Sequence, residues 1–328
     1  MPEGYLAPHG RIPWALMGGE QRIAVADVGT NSTRLLVADL TAEGKLVEVE
    51  RLSEVTRLGQ GVDSSGRLAE EAMERVHACL ARYRELADIH RAGRSVAVAT
   101  SAVRDAANGQ EFREAVRERS GFDLEIISGD DEARLTFLGA TAARPAGAGS
   151  VLVVDIGGGS TEYVVGHPGE DPDFHVSTRL GSVRQTERHI TGDPPPHEDL
   201  EALAAAAREI VADGVPVHVR DSVEAGIAVA GTATSLAAID QQLEPYDSTR
   251  VDGYQLLLGE CERMLARLAA MPIEQRREVP GLHPDRAPMI VAGAAILVES
   301  MRAFGLEYVE VSEADILHGV ALDCLTRG

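Results

Sequence analysis

Val151–Gly166 reads VLVVDIGGGSTEYVVG, and the order of residues within it decides the fold. The opening run Val151–Asp155 is too short for a helix core and too β-branched to favour one. It ends on an aspartate, breaks at Gly157–Gly159, offers Ser160 and Thr161, and resumes as a second apolar run. That order predicts a strand, a tight turn and a returning strand. Three glycines let backbone N–H groups approach an anion closely, and the two hydroxyls add donors. Asp155 closes the strand beside that turn, where a carboxylate can hold a metal-bound water. Taken alone, the same stretch also describes a hairpin whose glycines solve only a backbone problem.

A second copy of the pattern weighs against the plainer explanation. VADVGTNSTRLLVA from Val25 aligns without a gap on VVDIGGGSTEYVVG from Val153. Asp27 meets Asp155, Gly29 meets Gly157, Ser32 meets Ser160 and Thr33 meets Thr161, at a constant offset of 128 residues. Two stretches that both run strand, Asp-x-Gly turn, Ser-Thr, strand imply two structurally repeated halves. Around them the periodicity predicts strands at Leu46–Arg51, Ser95–Thr100, Leu124–Ile127, Ala225–Ala230 and Tyr308–Ser312. Helices are expected over Leu68–His90, Glu111–Ser120, Gly129–Ala143, His197–Asp213, Tyr254–Ala270, Ala287–Phe304 and Asp315–Arg327. Alternating strands and helices give an α/β protein. Met1–Gln21 has no periodicity and reads as a tail, and Arg144–Ser150, RPAGAGS, reads as a hinge or surface connection.

Composition limits what such a pair of turns can serve. The chain has 328 residues, enough for two domains, with 44% hydrophobic and 25% charged residues. Its formal charge of −21, from 31 Lys and Arg against 52 Asp and Glu, repels polyanions and argues against nucleic acid or an anionic membrane as partner. An anionic substrate therefore has to meet a local basic patch or a divalent cation. Three widely spaced cysteines, Cys79, Cys261 and Cys324, suggest neither a disulfide framework nor a zinc knuckle. No apolar run approaches the ~18 residues of a membrane span, and the expected location is cytoplasmic.

DVGTNSTRLLV, ATSAVRDAANGQEF, ISGDDEARLTFLG, VVDIGGGSTE, LGSVRQTE and RAPMIVAGAAIL occur here in that order. From about Ile23 to the C-terminus, the chain resembles the exopolyphosphatase/guanosine pentaphosphate phosphatase (Ppx/GppA) family in its short form, without a C-terminal HD-type domain. The resemblance implies two ribonuclease-H-like domains of the acetate and sugar kinase/Hsp70/actin superfamily, facing each other across a cleft. The expected division is a tail over 1–21, a first domain over 22–136 with 310–328, and a second over 137–309. It also implies that Glu132 is the catalytic general base. Its spacing alone favours the plainer reading, a first-turn acid beside Asp130 and Asp131 that suits the helix dipole. Asp155 and Glu162 match positions associated with a divalent cation, Mg²⁺, for which hard oxygen ligands are suited. Phosphate contacts are expected from Asn31, Ser32, Arg104, Gly157, Gly158, Gly159, Ser160, Thr161, Ser182 and Arg184, with Asp27, Arg34 and Arg57 as further candidates.

Two stretches depart from the family pattern. Ala230 stands where a second glycine is usual before Gly231–Thr234, and VSEADILHG diverges at Asp315, Leu317 and His318. The function implied is Mg²⁺-dependent release of orthophosphate from inorganic polyphosphate, with short chains favoured. The alternatives are a pppGpp 5′-phosphohydrolase and a non-turnover polyphosphate or nucleotide sensor. Oligomeric state is unreadable, and a homodimer stays open.

Overall fold

The computed structural model describes residues 21–41, 45–145 and 147–326. The tail expected over Met1–Gln21 falls, up to residue 20, outside the described residues. Its last residue opens the first strand.

The first sheet gathers β1 (Gln21–Val28), β2 (Ser32–Leu40), β3 (Leu46–Val55), β4 (Arg94–Ala99) and β5 (Asp123–Ile126) in the order β3-β2-β1-β4-β5. Between its strands run α1 (Val62–Ser65), α2 (Glu70–Ile89), α3 (Ser101–Asp105) and α4 (Gly109–Ser120). Alternation along β1 sends Ala24, Ala26 and Val28 to one face, against Val76, Leu80 and Tyr83 of α2. Ile23 and Val25 go to the other. Both faces are buried, so β1 reads as a continuous apolar run rather than a half-polar one.

The second sheet repeats the arrangement. After α5 (Gly129–Thr141) come β6 (Val151–Ile156), β7 (Thr161–Gly166), β8 (Phe174–Thr178), α6 (Ser182–His189), α7 (His197–Gly214), α8 (Val217–Arg220), β9 (Ala225–Val229), α9 (Ala230–Asp240) and α10 (Ser248–Val251). The chain continues with β10 (Gln255–Leu257), α11 (Leu258–Ala269), α12 (Ile273–Arg276), α13 (Ile290–Ala303), β11 (Tyr308–Val311) and α14 (Ile316–Thr326). The strand order is β10-β11-β9-β6-β7-β8. Both β1 and β6 pair antiparallel with the next strand and parallel with a later one. This is the ribonuclease-H-like arrangement that the family resemblance implies, built once in each of the two repeated halves.

The halves are joined by α5 and α14. Leu135 of α5 packs in the cluster holding Ile316, Leu317 and Val320 of α14, against the first sheet. Ala133, Phe137 and Ala140 pack on Val151, Val153 and Val164 of the second. The two helices approach so closely that a Cβ on Gly139 would lie 2.0 Å from the Asp315 carbonyl oxygen, and one on Gly319 1.8 Å from that of Leu135. Only glycine fits there.

Most boundaries shift by a few residues from the sequence expectation, β3 running on to Val55 for example, and four differences bear on the fold or the cleft. Tyr254–Ala270 is not one helix: Gln255–Leu257 pairs antiparallel with β11 before α11 begins, and Leu256 alone of the three is buried, the period of a strand. Strand β9 stops at Val229, and Ala230 opens α9 in a left-handed conformation, φ 63°. Helix α13 starts at Ile290, because a 3₁₀ turn takes Pro284–Arg286. Glu310 and Val311, expected with the first domain, pair with β9 in the second sheet. Helix α13 is buried on nearly every side, so its apolar surface is core.

Candidate active site

The two hairpins put the same turn at the end of each sheet. Gly29 N–H donates to the Ser32 carbonyl at 3.0 Å, and Gly157 N–H to that of Ser160 at 3.0 Å. The registers match: Asp27 lies opposite Arg34, and Asp155 opposite Glu162. Directly paired residues of an antiparallel ladder point to one face, so each aspartate meets its partner's side chain. The second turn seats on the first. A Cβ on Gly159 would stand 2.6 Å from Ser101 Oγ and 2.8 Å from Thr30 Oγ1, and one on Gly158 3.1 Å from Thr30 Cβ. Among the described residues, the amides of Gly158 and Gly159 find no acceptor within the chain, which leaves them for an anion.

Between the turns lies a cleft of about 100 Å³, lined by both of them and by Asp27, Asn31, Ser32, Arg34, Glu132, Asp155, Glu162, Ser182 and Arg286. Glu132 enters from the first turn of α5. Ser128 caps that helix, its hydroxyl oxygen accepting the Asp131 amide at 3.0 Å. The cap fixes where the next residue points, and Glu132 is 7% exposed. Arg104 NH1 donates to Glu132 Oε2 at 2.9 Å and to the Ile127 carbonyl at 3.1 Å.

The electrostatics follow from burying like charges together. Burial pushes the Glu132 carboxyl up to about 7, with Arg104 pulling the other way and Asp155 and Asp27 adding to the rise. Burial likewise raises Asp155 to about 7 against the pull of Arg34. Glu162, whose Oε1 accepts from Ser177 Oγ at 2.8 Å, is raised well above the carboxylate range by burial and then by Glu132 and Asp155. Three buried carboxylates sharing one cleft ask for a cation or protons. Tyr163, the next residue of β7, faces the opposite way into the core, which is why Glu162 faces the cleft.

The arginines divide into three groups. Arg34 is held by Asp27, with Nε to Oδ2 at 2.9 Å, and by Asp315 through NH1. Arg104 serves Glu132. Arg184 does not line the cleft: it is 6% exposed, donates to the Gly159 carbonyl at 2.8 Å and to Asp105 Oδ2 at 2.8 Å, and pairs with Asp63. It ties the second turn to the first half rather than facing phosphate. Arg57 also lies outside the cleft, bonded to Asp285 Oδ1 at 2.9 Å, and Thr161 turns its hydroxyl to the Leu180 carbonyl. Ser182 and Ser160 do line the cleft, the former donating to the Gly157 carbonyl at 3.1 Å.

Sequence reasoning missed Arg286. It lines both the cleft and a larger neighbouring cavity, donates to the Gly231 carbonyl at 2.8 Å and Ser235 Oγ at 2.9 Å, and among the described residues makes no ion pair within 4.0 Å. Burial lowers its affinity for its proton. Its signal was a lone arginine ahead of the apolar helix in RAPMIVAGAAIL. Asp315 was visible only as a departure from the family pattern.

The donor set fits a hard divalent cation. Asp155 and Glu162 present carboxylates from paired positions, and Asp27 Oδ1 and Asn31 Oδ1, both buried, have no partner. No group of three or more acidic, histidine or cysteine ligands converges among the described residues. Mg²⁺ commonly takes only one or two carboxylates, with water and substrate oxygens completing its shell.

A family model described as Ppx/GppA phosphatase matches residues 36–327. The chain belongs to that family. Exopolyphosphatase 2 of Mycobacterium tuberculosis is 37% identical over 313 residues, covering 92% of this chain and 98% of its own. Exopolyphosphatase 1 of Mycobacterium bovis is 32% identical, covering 92% and 87%. Among solved structures, a Ppx/GppA family member from Aquifex aeolicus matches with a TM-score of 0.79 and 31% identity, covering 94% of this chain and 99% of that one. An exopolyphosphatase from Cytophaga hutchinsonii matches with a TM-score of 0.85 and 27% identity, covering 94% and 98%. This Ppx/GppA phosphatase has, among its described residues, no helix long and apolar enough to cross a membrane.

Proposed function

We propose that this Ppx/GppA phosphatase is an exopolyphosphatase: it hydrolyses the terminal phosphoanhydride of inorganic polyphosphate, favours short chains and requires Mg²⁺. The observation that carries the reading is the trio Glu132, Asp155 and Glu162, buried together in a cleft between two glycine turns. The relatives named exopolyphosphatases support the same substrate class. We likewise infer two domains, one on each sheet, with the chain crossing at Ile127–Ser128 and returning through Ser312–Ala314.

Phosphoryl transfer asks the protein for position and charge neutralisation more than covalent chemistry. In this reading the terminal phosphate rests on the amides of Gly158 and Gly159. Ser160 and Ser182 lie to one side and Asn31 and Ser32 to the other, with Arg286 beyond. Arg104 holds Oε2 of Glu132, so Oε1 is the oxygen left to orient a water in line and accept its proton. Asp155 and Glu162 would hold the divalent cation, which when bound supplies neutralisation of phosphate oxygens. A larger cavity beside the cleft, about 700 Å³ with apolar residues such as Leu52, Leu243 and Leu282 in its wall, favours one second reading, pppGpp as substrate.

Orthophosphate release from tripolyphosphate, long-chain polyphosphate and pppGpp, with and without Mg²⁺, tests the reading. Faster release from tripolyphosphate than from pppGpp is expected. Tight polyphosphate binding without any release would replace the enzyme by a sensor.

A further inference from the structure

The reaction cleft opens past Arg34, Ala230, Gly231 and Arg286 into the larger cavity, because these four line both. A phosphate chain whose end sits in the cleft has that passage as a way out. The passage is guarded by Asp315, which is 1% exposed. It accepts from Arg34 NH1, and from Arg51 NH2 at 3.3 Å. Arg51 is also paired through NH1 with Glu313 Oε2 at 2.9 Å, and Arg34 with Asp27. Of the three arginines at the mouth, Arg34 and Arg51 are therefore already neutralised, whereas Arg286, among the described residues, makes no ion pair. With the mouth included, the cavity is lined by six acidic residues (Glu48, Glu50, Glu244, Glu278, Glu313, Asp315) against four arginines (Arg34, Arg51, Arg277, Arg286). Asp315 is built into place: its Oδ1 accepts the Leu317 amide at 3.0 Å at the start of α14.

We propose that Asp315 is a specificity-determining residue. By serving as counter-ion to Arg34 and Arg51, it denies a polyphosphate chain the passage into the larger cavity and confines turnover to short chains. The proposal rests on the exopolyphosphatase reading above and gives its chain-length preference a cause. The fixed carboxylate cancels the attraction that Arg34 and Arg51 would offer each incoming phosphate, which leaves Arg286, among the described residues, as the unpaired arginine at the mouth.

The test uses the full chain with Mg²⁺, measuring orthophosphate from tripolyphosphate and from chains of several hundred phosphates, per chain end. Asp315→Asn and Asp315→Ser both keep an acceptor for the Leu317 amide while removing the charge. In each, the ratio of kcat/KM on long over short chains is expected to rise about tenfold, through a lower KM for long chains. A merely structural role would lower both substrates together and leave the ratio unchanged, which overturns the proposal. The unaltered protein gives a second readout: long chains should compete poorly against tripolyphosphate, and equal competition per chain end also overturns it. No orthophosphate from either substrate would instead sink the exopolyphosphatase reading itself.

Discussion

The hairpins β1–β2 and β6–β7 share a turn, a register and a place in their sheets, and differ in one residue that changes what each can do. Asp27 faces Arg34, whereas Asp155 faces Glu162 at the equivalent position. The first hairpin is neutralised from within, and Arg34 even reaches a second carboxylate, Asp315. The second buries two acids with no arginine in hydrogen-bonding contact with either among the described residues; burial pushes both up in pKa, as it does Asp27 even against Arg34. A duplicated framework thus holds a finished ion pair on one side of the cleft and an unmet demand for positive charge on the other. On the proposed reading the cation and the chemistry belong to the second hairpin, and Glu132 stands where it feels the aspartates of both.

The largest expected effect tests that meeting point. Glu132→Gln should lower kcat for orthophosphate release by about 10³-fold; a rate near that of the unaltered enzyme would remove Glu132 as the base. Next, the hairpins should respond with opposite signs when one partner is removed. Arg34→Met strands the buried Asp27, leaves Asp315 with Arg51 as its remaining arginine, and should destabilise the fold by about 3–5 kcal/mol in urea titration. Glu162→Gln removes a buried like charge and should leave metal-free stability equal or higher. Equal losses in both would erase the distinction.

A smaller effect comes from pH. Glu132 and Asp155 have folded pKa values of about 7, above the unfolded values of about 4. Between roughly pH 4 and 7 the folded protein keeps protons that the unfolded chain has released, so metal-free stability contributed by these groups falls as pH rises through that window. Melting temperature against pH should show the decline, and Mg²⁺ should reverse it at the alkaline end. For the same reason activity should rise through pH 7 as Glu132 becomes free to accept a proton. The smallest effect concerns the helix starts behind the turns. Thr100, ahead of α3, keeps a negative φ, whereas Ala230, at the head of α9, sits at φ 63°. Ala230→Gly should therefore raise stability by about 0.5–1 kcal/mol, measurable as a higher urea midpoint.

Much of this was legible because it is local or repeated. The hairpins could be read from alternation and glycine, and the constant offset between them exposes the two halves from the residues alone. Glu132, Asp155 and Glu162, singled out through the family resemblance, line one cleft. What stayed hidden was pairing across distance. Nothing near Arg184 in sequence indicates that Asp63 and Asp105 claim its guanidinium, or that Thr161 turns to Leu180. Three residues, Gln255–Leu257, vanish into a helical pattern because a strand that short has no period of its own. Arg286 and Asp315 lie far along the chain from Glu132 and from both turns, and only folding brings them to the cleft and its mouth.

The most direct test of the difference between the hairpins is a Mg²⁺ titration of thermal stability at about pH 7.5, just above the raised pKa values of Glu132 and Asp155, comparing the unaltered protein with Glu162→Gln. If the second hairpin holds the cation, Mg²⁺ raises the melting temperature of the unaltered protein in a saturable way, and the variant needs at least about tenfold more for the same rise. If the variant responds to Mg²⁺ as the unaltered protein does, the cation does not sit on the Asp155–Glu162 pair, and the central claim fails.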